Sequence, residues 1–332
     1  MGIKYYRDSQ ILSPREIWTA TKTTGIQFVD GNYGGAGGAY SGWSPKNAVN
    51  SITLAVANLA SRRQAVIYVR PKGNSVNSGQ TYYTDNVTIP LTTPNLSIIG
   101  AGATPRRPYL GVDIKATTST SPVFTVNGSG LCLESMRIAG TGQNATAGIA
   151  IVLAPMSATA QGSVGLQAYR CRFDNAKSGG AIKLDSPNHV EIEECSFDEC
   201  AVGITSTMSY AGVAHRGLKI MDCDFGGRNS TRDMDIYISQ SGAGAGNSVA
   251  GYEIYKCRFL DELPAKGGNN RFIKIANGDM GLISFCIFPV DPGSNHIATF
   301  GAAGNQCVIP TTWKMVMCRG SNDLDFIHPE TA

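Results

Sequence analysis

The sequence predicts an all-β fold: a single-stranded, right-handed parallel β-helix, a three-sided solenoid, with an N-terminal capping helix. Three observations lead there. One short pattern recurs along the chain, most fully as Gly217-Leu218-Lys219-Ile220-Met221-Asp222-Cys223-Asp224-Phe225. Further strand-like runs fill the intervals between copies, with no helical crossover of the kind a βαβ unit needs. The 39 Gly and 15 Pro, set against few helical patterns, suit many short strands separated by turns.

Residues 1–25 mix charge, aromatics and Thr without periodicity and read as an extended N-terminal arm. A flexible Gly-rich loop follows, Asn32-Tyr33-Gly34-Gly35-Ala36-Gly37-Gly38. No Lys-Ser or Lys-Thr comes after it, so it is not expected to cradle phosphate. Ser44-Pro45 then offers an N-cap and a proline at the first helical position. Val49, Ile52, Val56, Leu59 and Ala60 continue at helical spacing and predict a helix over about 45–61. Its apolar stripe must bury. Laid across the open first coil of a solenoid, it would also block edge pairing. Loop and capping helix together take residues 26–64.

From 65 to 320 the pattern is that of the solenoid itself. Ala65-Val66-Ile67-Tyr68-Val69, Asn86-Val87-Thr88-Ile89 and Leu96-Ser97-Ile98-Ile99 are strand-like, with Pro90 and Pro94 marking corners. Copies of the repeat begin at Gly130, Gly165, His189, Gly217, Gly251 and Gly281, and a degenerate one runs from Trp313 to Cys318. Cys171, Cys195, Cys223, Cys257, Cys286 and Cys318 recur 24, 28, 34, 29 and 32 residues apart. The copy at Gly130 carries Met136 and Ile138 where the others have Cys and Phe. Within a copy Leu218 and Ile220 alternate, as do Cys223 and Phe225, but Ile220 to Cys223 is a step of three. A local bend there lets both pairs face inward. With about 4.8 Å between coils, equivalent residues stack, and a narrow bend slot accepts Cys where Leu is too large. Residues 321–332 are left as a C-terminal tail.

Nine cysteines, an odd number inside strand-like runs, fit buried free thiols better than a disulfide framework. Cys195 and Cys200 are close, but no second cysteine pair accompanies them. His189, His215, His296 and His328 are not at ligand spacing. No metal and no cofactor is expected. A net charge of +3, scattered along the chain, does not point to nucleic acid. No apolar run approaches a membrane span, and the first residues do not read as a signal peptide.

The stretch from Val29-Asp30-Gly31 through Gly42-Trp43-Ser44-Pro45 resembles the opening of pectate-lyase-like right-handed β-helix proteins. Tyr82-Tyr83-Thr84-Asp85-Asn86-Val87-Thr88-Ile89 and the Ile-x-x-Cys-x-Phe copies resemble their first outer strand and their coils. The resemblance covers roughly residues 26–320 and is specific for fold. That family includes polysaccharide lyases and hydrolases, phage tailspikes and virion proteins. For virion members it implies a homotrimer, with the arm docking on other virion proteins.

An enzyme of this fold needs a constellation of carboxylates, with a basic residue or Ca²⁺ for lysis or a carboxylate pair for hydrolysis. The carboxylates available are Asp174, Asp198, Glu199, Asp222, Asp224, Asp233 and Asp235. Asp174 and Asp198 follow the Cys-x-Phe unit in successive coils and stack on one face, with Arg172 beside the first. These three are the catalytic candidates. The competing reading is a turn position, because the next copies carry Gly226 and Leu260 there. Exposed aromatics for sugar binding are few: Trp18, Trp43 and Trp313 lie outside the middle coils, leaving Tyr169, Tyr237, Tyr252 and Tyr255 as a platform. The stretches 154–164, 205–216 and 239–250 are small and polar, poor as catalytic walls. The expectation is therefore a bacteriophage virion protein, a short spike, fibre or capsid decoration protein that contacts the host surface. The alternative is a polysaccharide lyase or glycoside hydrolase acting on bacterial surface polysaccharide.

Overall fold

The computed structural model describes residues 6–7, 10–11, 25–32, 41–72, 82–101, 111–118, 121–128, 130–139, 151–153, 165–174, 176, 180–185, 187–207, 215–226, 234–239, 249–260, 271–276, 281–288, 298–300, 307–309, 313–320 and 326–327. Their strands form three long sheets, and the chain visits the sheets in turn. Sheet 1 runs from Gly25–Val29 and Ala65–Val69 through Leu218–Met221 to Lys314–Val316. Sheet 2 runs from Tyr83–Thr84 through Asp224–Gly226 to Cys318–Gly320, and sheet 3 includes Val87–Ile89, Val202–Thr207 and Arg271–Ala276. Successive coils pair in parallel and in register, as with Ile192↔Ile220, Phe197↔Phe225 and Ile204↔Ile236. This is the three-sided parallel β-helix.

The three-residue step is a one-residue bend between sheets 1 and 2. Ser135, Arg170, Glu194, Asp222, Lys256, Phe285 and Met317 all stand there in the left-handed region, with φ between 50° and 57°. A left-handed residue with a side chain costs about 1–2 kcal/mol. The fold keeps these bends because they leave the ladder intact. Asp222 N–H donates to the Tyr255 carbonyl at 2.9 Å and Lys256 N–H to Ser284 at 3.0 Å, so the bend's own amide pairs with the next coil.

Just past the bend, the cysteines point into the core. Cys171, Cys195, Cys223, Cys257, Cys286 and Cys318 are buried and unpaired by disulfides. Each thiol donates to the carbonyl of the inward sheet 1 residue one coil back: Cys195 to Ala168 at 3.4 Å, Cys223 to Ile192 at 3.5 Å, Cys257 to Ile220 at 3.6 Å. Two residues on, Phe173, Phe197, Phe225, Phe259 and Phe288 stack with centroids 4.7–5.2 Å apart. The same slot therefore returns with each winding.

The helix differs from the prediction. Pro45–Asn47 forms a 3-10 turn whose preceding Ser44 makes no side-chain cap, and the α-helix, α1, spans Ile52–Asn58. Val49, expected within the helix, bridges Val29 in parallel, accepting from Asp30 N–H and donating to the Phe28 carbonyl, both at 2.9 Å. That pairing holds the chain extended until Ser51, whose hydroxyl caps Leu54 N–H at 3.2 Å. Ile52, Ala55, Val56 and Leu59 then bury among Val29, Ile67, Val87 and Ile89 of the first coils.

The N-terminal arm is not wholly single: Tyr6–Arg7 pairs antiparallel with Gln10–Ile11. The remainder of 1–24, the glycines 34–38 and the stretch 154–164 lie outside the described residues. In the C-terminal tail, Phe326–Ile327 turns back antiparallel on Cys318–Gly320 and adds a strand to sheet 2.

Candidate functional site

The period-two alternation that sends Phe173 and its equivalents inward sends their neighbours out, onto the solvent face of sheet 2. Register places Asp113, Arg137, Arg172, Ser196, Asp224 and Arg258 in one outer column, and Lys115, Ala139, Asp174 and Asp198 in the next. The predicted residues Asp174, Asp198 and Arg172 therefore meet on one face. They meet as ion pairs. Arg172 reaches Asp198 and lies 3.9 Å from Asp174, while Arg137 donates through Nε to Asp174 Oδ2 at 3.0 Å and again through Nη2. Arg137 Nη1 also reaches Asp113 at 3.4 Å. Farther along, Arg258 grips Asp224 with two bonds, 2.6 and 2.7 Å.

Asp113 and Asp174 are buried and the two arginines are partly covered. Burial raises the Asp113 carboxyl above its ordinary value, with the Arg137 guanidinium and the Lys115 ammonium pulling against it. Asp113 Oδ1 and Arg172 Nε have no hydrogen-bond partner among the described residues. Chemically, a carboxylate whose lone pairs are taken by guanidinium N–H groups is neither a free base nor a poised nucleophile. Asp113 is the most acid-like group of the strip. The sequence reading missed it, and missed Arg137, because both lie in coils that lack the Cys-x-Phe signature. The signal available was register: Ile114 and Ile138 occupy the Phe slot, so Asp113 and Arg137 flank it as Arg172 flanks Phe173.

The other candidates are dispersed. Asp222 and Glu199 are left-handed turn residues, and Asp235 is buried in sheet 3. Asp233, His296 and His328 lie outside the described residues. The four tyrosines form no common platform. Tyr252 points into the core edge-on to Trp313, Tyr237 stacks under Lys274, Tyr169 under Arg170, and Tyr255 meets Phe285. Cys195 and Cys200 donate to different carbonyls, those of Ala168 and Phe173. No group of three His, Cys, Asp or Glu suited to a metal occurs among the described residues.

A second polar cluster lies in the first coils. Asp85 accepts from Ile52 N–H at 2.8 Å and Thr53 N–H at 3.1 Å, so it holds the start of α1. Tyr83 donates to the Arg70 carbonyl at 2.7 Å and accepts from Gly31 N–H at 2.9 Å, and burial pushes its hydroxyl up to about 12. Both sets are saturated by the fold itself.

No family model matches the chain, and no curated protein does. Two solved structures are similar, both crystal structures of the pectin methylesterase from Aspergillus niger. The deglycosylated form is 15% identical over 90% of this chain and 85% of that one, with a TM-score of 0.46. A penultimately deglycosylated form is 15% identical over 93% of this chain and 90% of its own, with a TM-score of 0.47.

Proposed function

We propose that the chain is a structural β-helix component of a bacteriophage particle, a short spike, fibre or decoration protein, whose work is to present a rigid surface. The observation that carries this reading is the strip on sheet 2. The carboxylates best placed for catalysis, Asp174 and Asp198, are engaged by Arg137 and Arg172. A core stapled by stacked Phe and buried thiols supports it too. Such a chain reaches its final stability without oxidative folding, as a protein assembled in a reducing cytoplasm and exposed afterwards must. Mass spectrometry of purified particles tests the proposal: a stoichiometric copy number is expected, and absence from the particles overturns it.

A second reading, a polysaccharide lyase or hydrolase, is favoured by one group. Asp113 is a buried carboxyl, held toward its protonated form by burial and flanked by Arg137. Incubation with capsular or lipopolysaccharide sugars distinguishes the two. Fragment release that is lost in Asp113→Asn, with the fold retained, selects the enzyme.

A further inference from the structure

The thiol column is a set of metal-ligating side chains that neither reading of the sheet 2 strip uses. Size alone does not account for it. Met136 stands in the same slot one coil before Cys171, behind the same left-handed bend at Ser135, and is also buried, so the slot admits a longer side chain. Yet Cys171, Cys195, Cys223, Cys257, Cys286 and Cys318 place a free, buried thiol there in every later coil. They share one orientation. Each donates to the sheet 1 carbonyl one coil back, from Leu133 for Cys171 at 3.6 Å to Ile283 for Cys318 at 3.8 Å. With orientation and register fixed, the sulfurs repeat at the coil spacing, about 4.8 Å. Neighbouring thiols also interact: Cys223 with Cys195 on one side and Cys257 on the other, and Cys286 with Cys257 and Cys318.

We infer that this column is a binding site for soft monovalent cations of the copper(I) and silver(I) kind, each held in line between thiols of successive coils. Two metal–sulfur bonds laid end to end, each about 2.3 Å as at zinc thiolates, nearly fill the gap. Thiolate is the soft ligand such ions prefer. Common harder ions do not fit. Zinc takes four ligands in a tetrahedron and calcium six or more oxygens, and no group of three or more ligands suited to a metal occurs among the described residues. Charge selects the monovalent ion. Each entering cation bonds one sulfur and displaces its proton, while the neighbouring sulfur lends a lone pair. One positive charge replaces another, so the apolar core takes on no net charge, which it would resist. The slot is closed in the folded chain, so the ion enters as the coils form. The site holds whether or not the chain is found on a virus particle, which particle mass spectrometry reads separately.

The test refolds the reduced full chain from urea with silver(I) nitrate, in chloride-free buffer under argon. Gel filtration through free cysteine then strips ions from accessible thiols, and the silver retained per chain is counted. Where refolding fails, incubating the native chain with silver just below its melting temperature gives the same count. X-ray absorption is expected to show two sulfur neighbours per ion and no nitrogen. Cys223→Ala opens two gaps in the file and is expected to lose two ions, whereas Cys318→Ala, at its end, loses one. Cys257→Ala is interior in the same way and reads the same loss should Cys223→Ala not fold. Cys200→Ala, in a different slot, is expected to lose none. The loaded chain should melt at a higher temperature than the metal-free one, because the ion binds only the folded column. Absence of silver after free cysteine, equal losses from interior and end variants, or nitrogen in the coordination shell overturns the inference.

Discussion

At Asp222 a single left-handed residue turns the chain from one sheet to the next, and its neighbour Cys223 fills the space inside the turn. In that column burial raises the thiols of Cys195, Cys223 and Cys257 well above their ordinary range. Cys200, in a different slot, is pushed up to about 12 by burial. Native protein at neutral pH is therefore expected to leave these buried thiols untouched by a disulfide-exchange reagent, and to release them together on unfolding. Piecemeal reaction in the folded state contradicts the assignment. On the outer face, Asp113 and Asp174 share Arg137. The folded Asp113 carboxyl lies above its unfolded value of 3.8, so its contribution is fully present below that value and is lost as pH rises through the folded one. At neutral pH its charge is a burden, and Asp113→Asn is expected to hold or raise the melting temperature. Asp174→Asn leaves Arg137 without its main partner and is expected to cost up to about 3 kcal/mol, less as salt screens the partly exposed arginines. Thermal melts of both variants at pH 7 check the pair of outcomes. Asp174, Asp198 and Arg172 were legible because the repeat numbers them. The main partner of Asp174 was not, because it is Arg137, in a coil where Met136 and Ile138 hide the pattern.

Elements in this fold are short, and their bounds come from partners along the axis more than from local propensity. The helical periodicity starting at Ser44 is genuine, yet Val49 leaves it to pair with Val29, a contact between strands whose distance in sequence no spacing rule reveals. The helix that remains, α1, starts on Asp85, more than thirty residues later. Replacing Asp85 with Ala is expected to cost about 1–2 kcal/mol, the worth of a helix cap, measured by chemical denaturation. At the other end of sheet 1, Tyr252, Gly281 and Trp313 occupy one slot in successive coils. A Cβ on Gly281 would stand 2.5 Å from the Trp313 ring, so Gly281→Ala is expected to cost about 1–3 kcal/mol by overpacking. A neutral result there means that Trp313 does not occupy the slot.

Over the whole molecule, each coil rests on its neighbours, so stability accumulates along the axis rather than in one central knot. That is why the sequence announces the fold so plainly: one inward slot, refilled at each winding, repeats its preference for Cys or Phe. Function leaves no such trace, because a ligand surface needs its residues only once. The ends are also less legible. Phe326–Ile327 reverses direction on sheet 2, and nothing in the repeat foretells an antiparallel strand. The repeat itself is open to direct test through Ser196 and Asp224, outward-facing and paired across adjacent coils. Spin labels on Ser196→Cys and Asp224→Cys should sit about 5 Å apart, one coil rise, and show strong dipolar broadening in the continuous-wave spectrum. Labels on Ser196→Cys and Arg258→Cys, two rises apart, should broaden each other much less. Sharp, independent lines from the first pair would show that Phe197 and Phe225 are not neighbours on successive windings, and the coil would have to be abandoned.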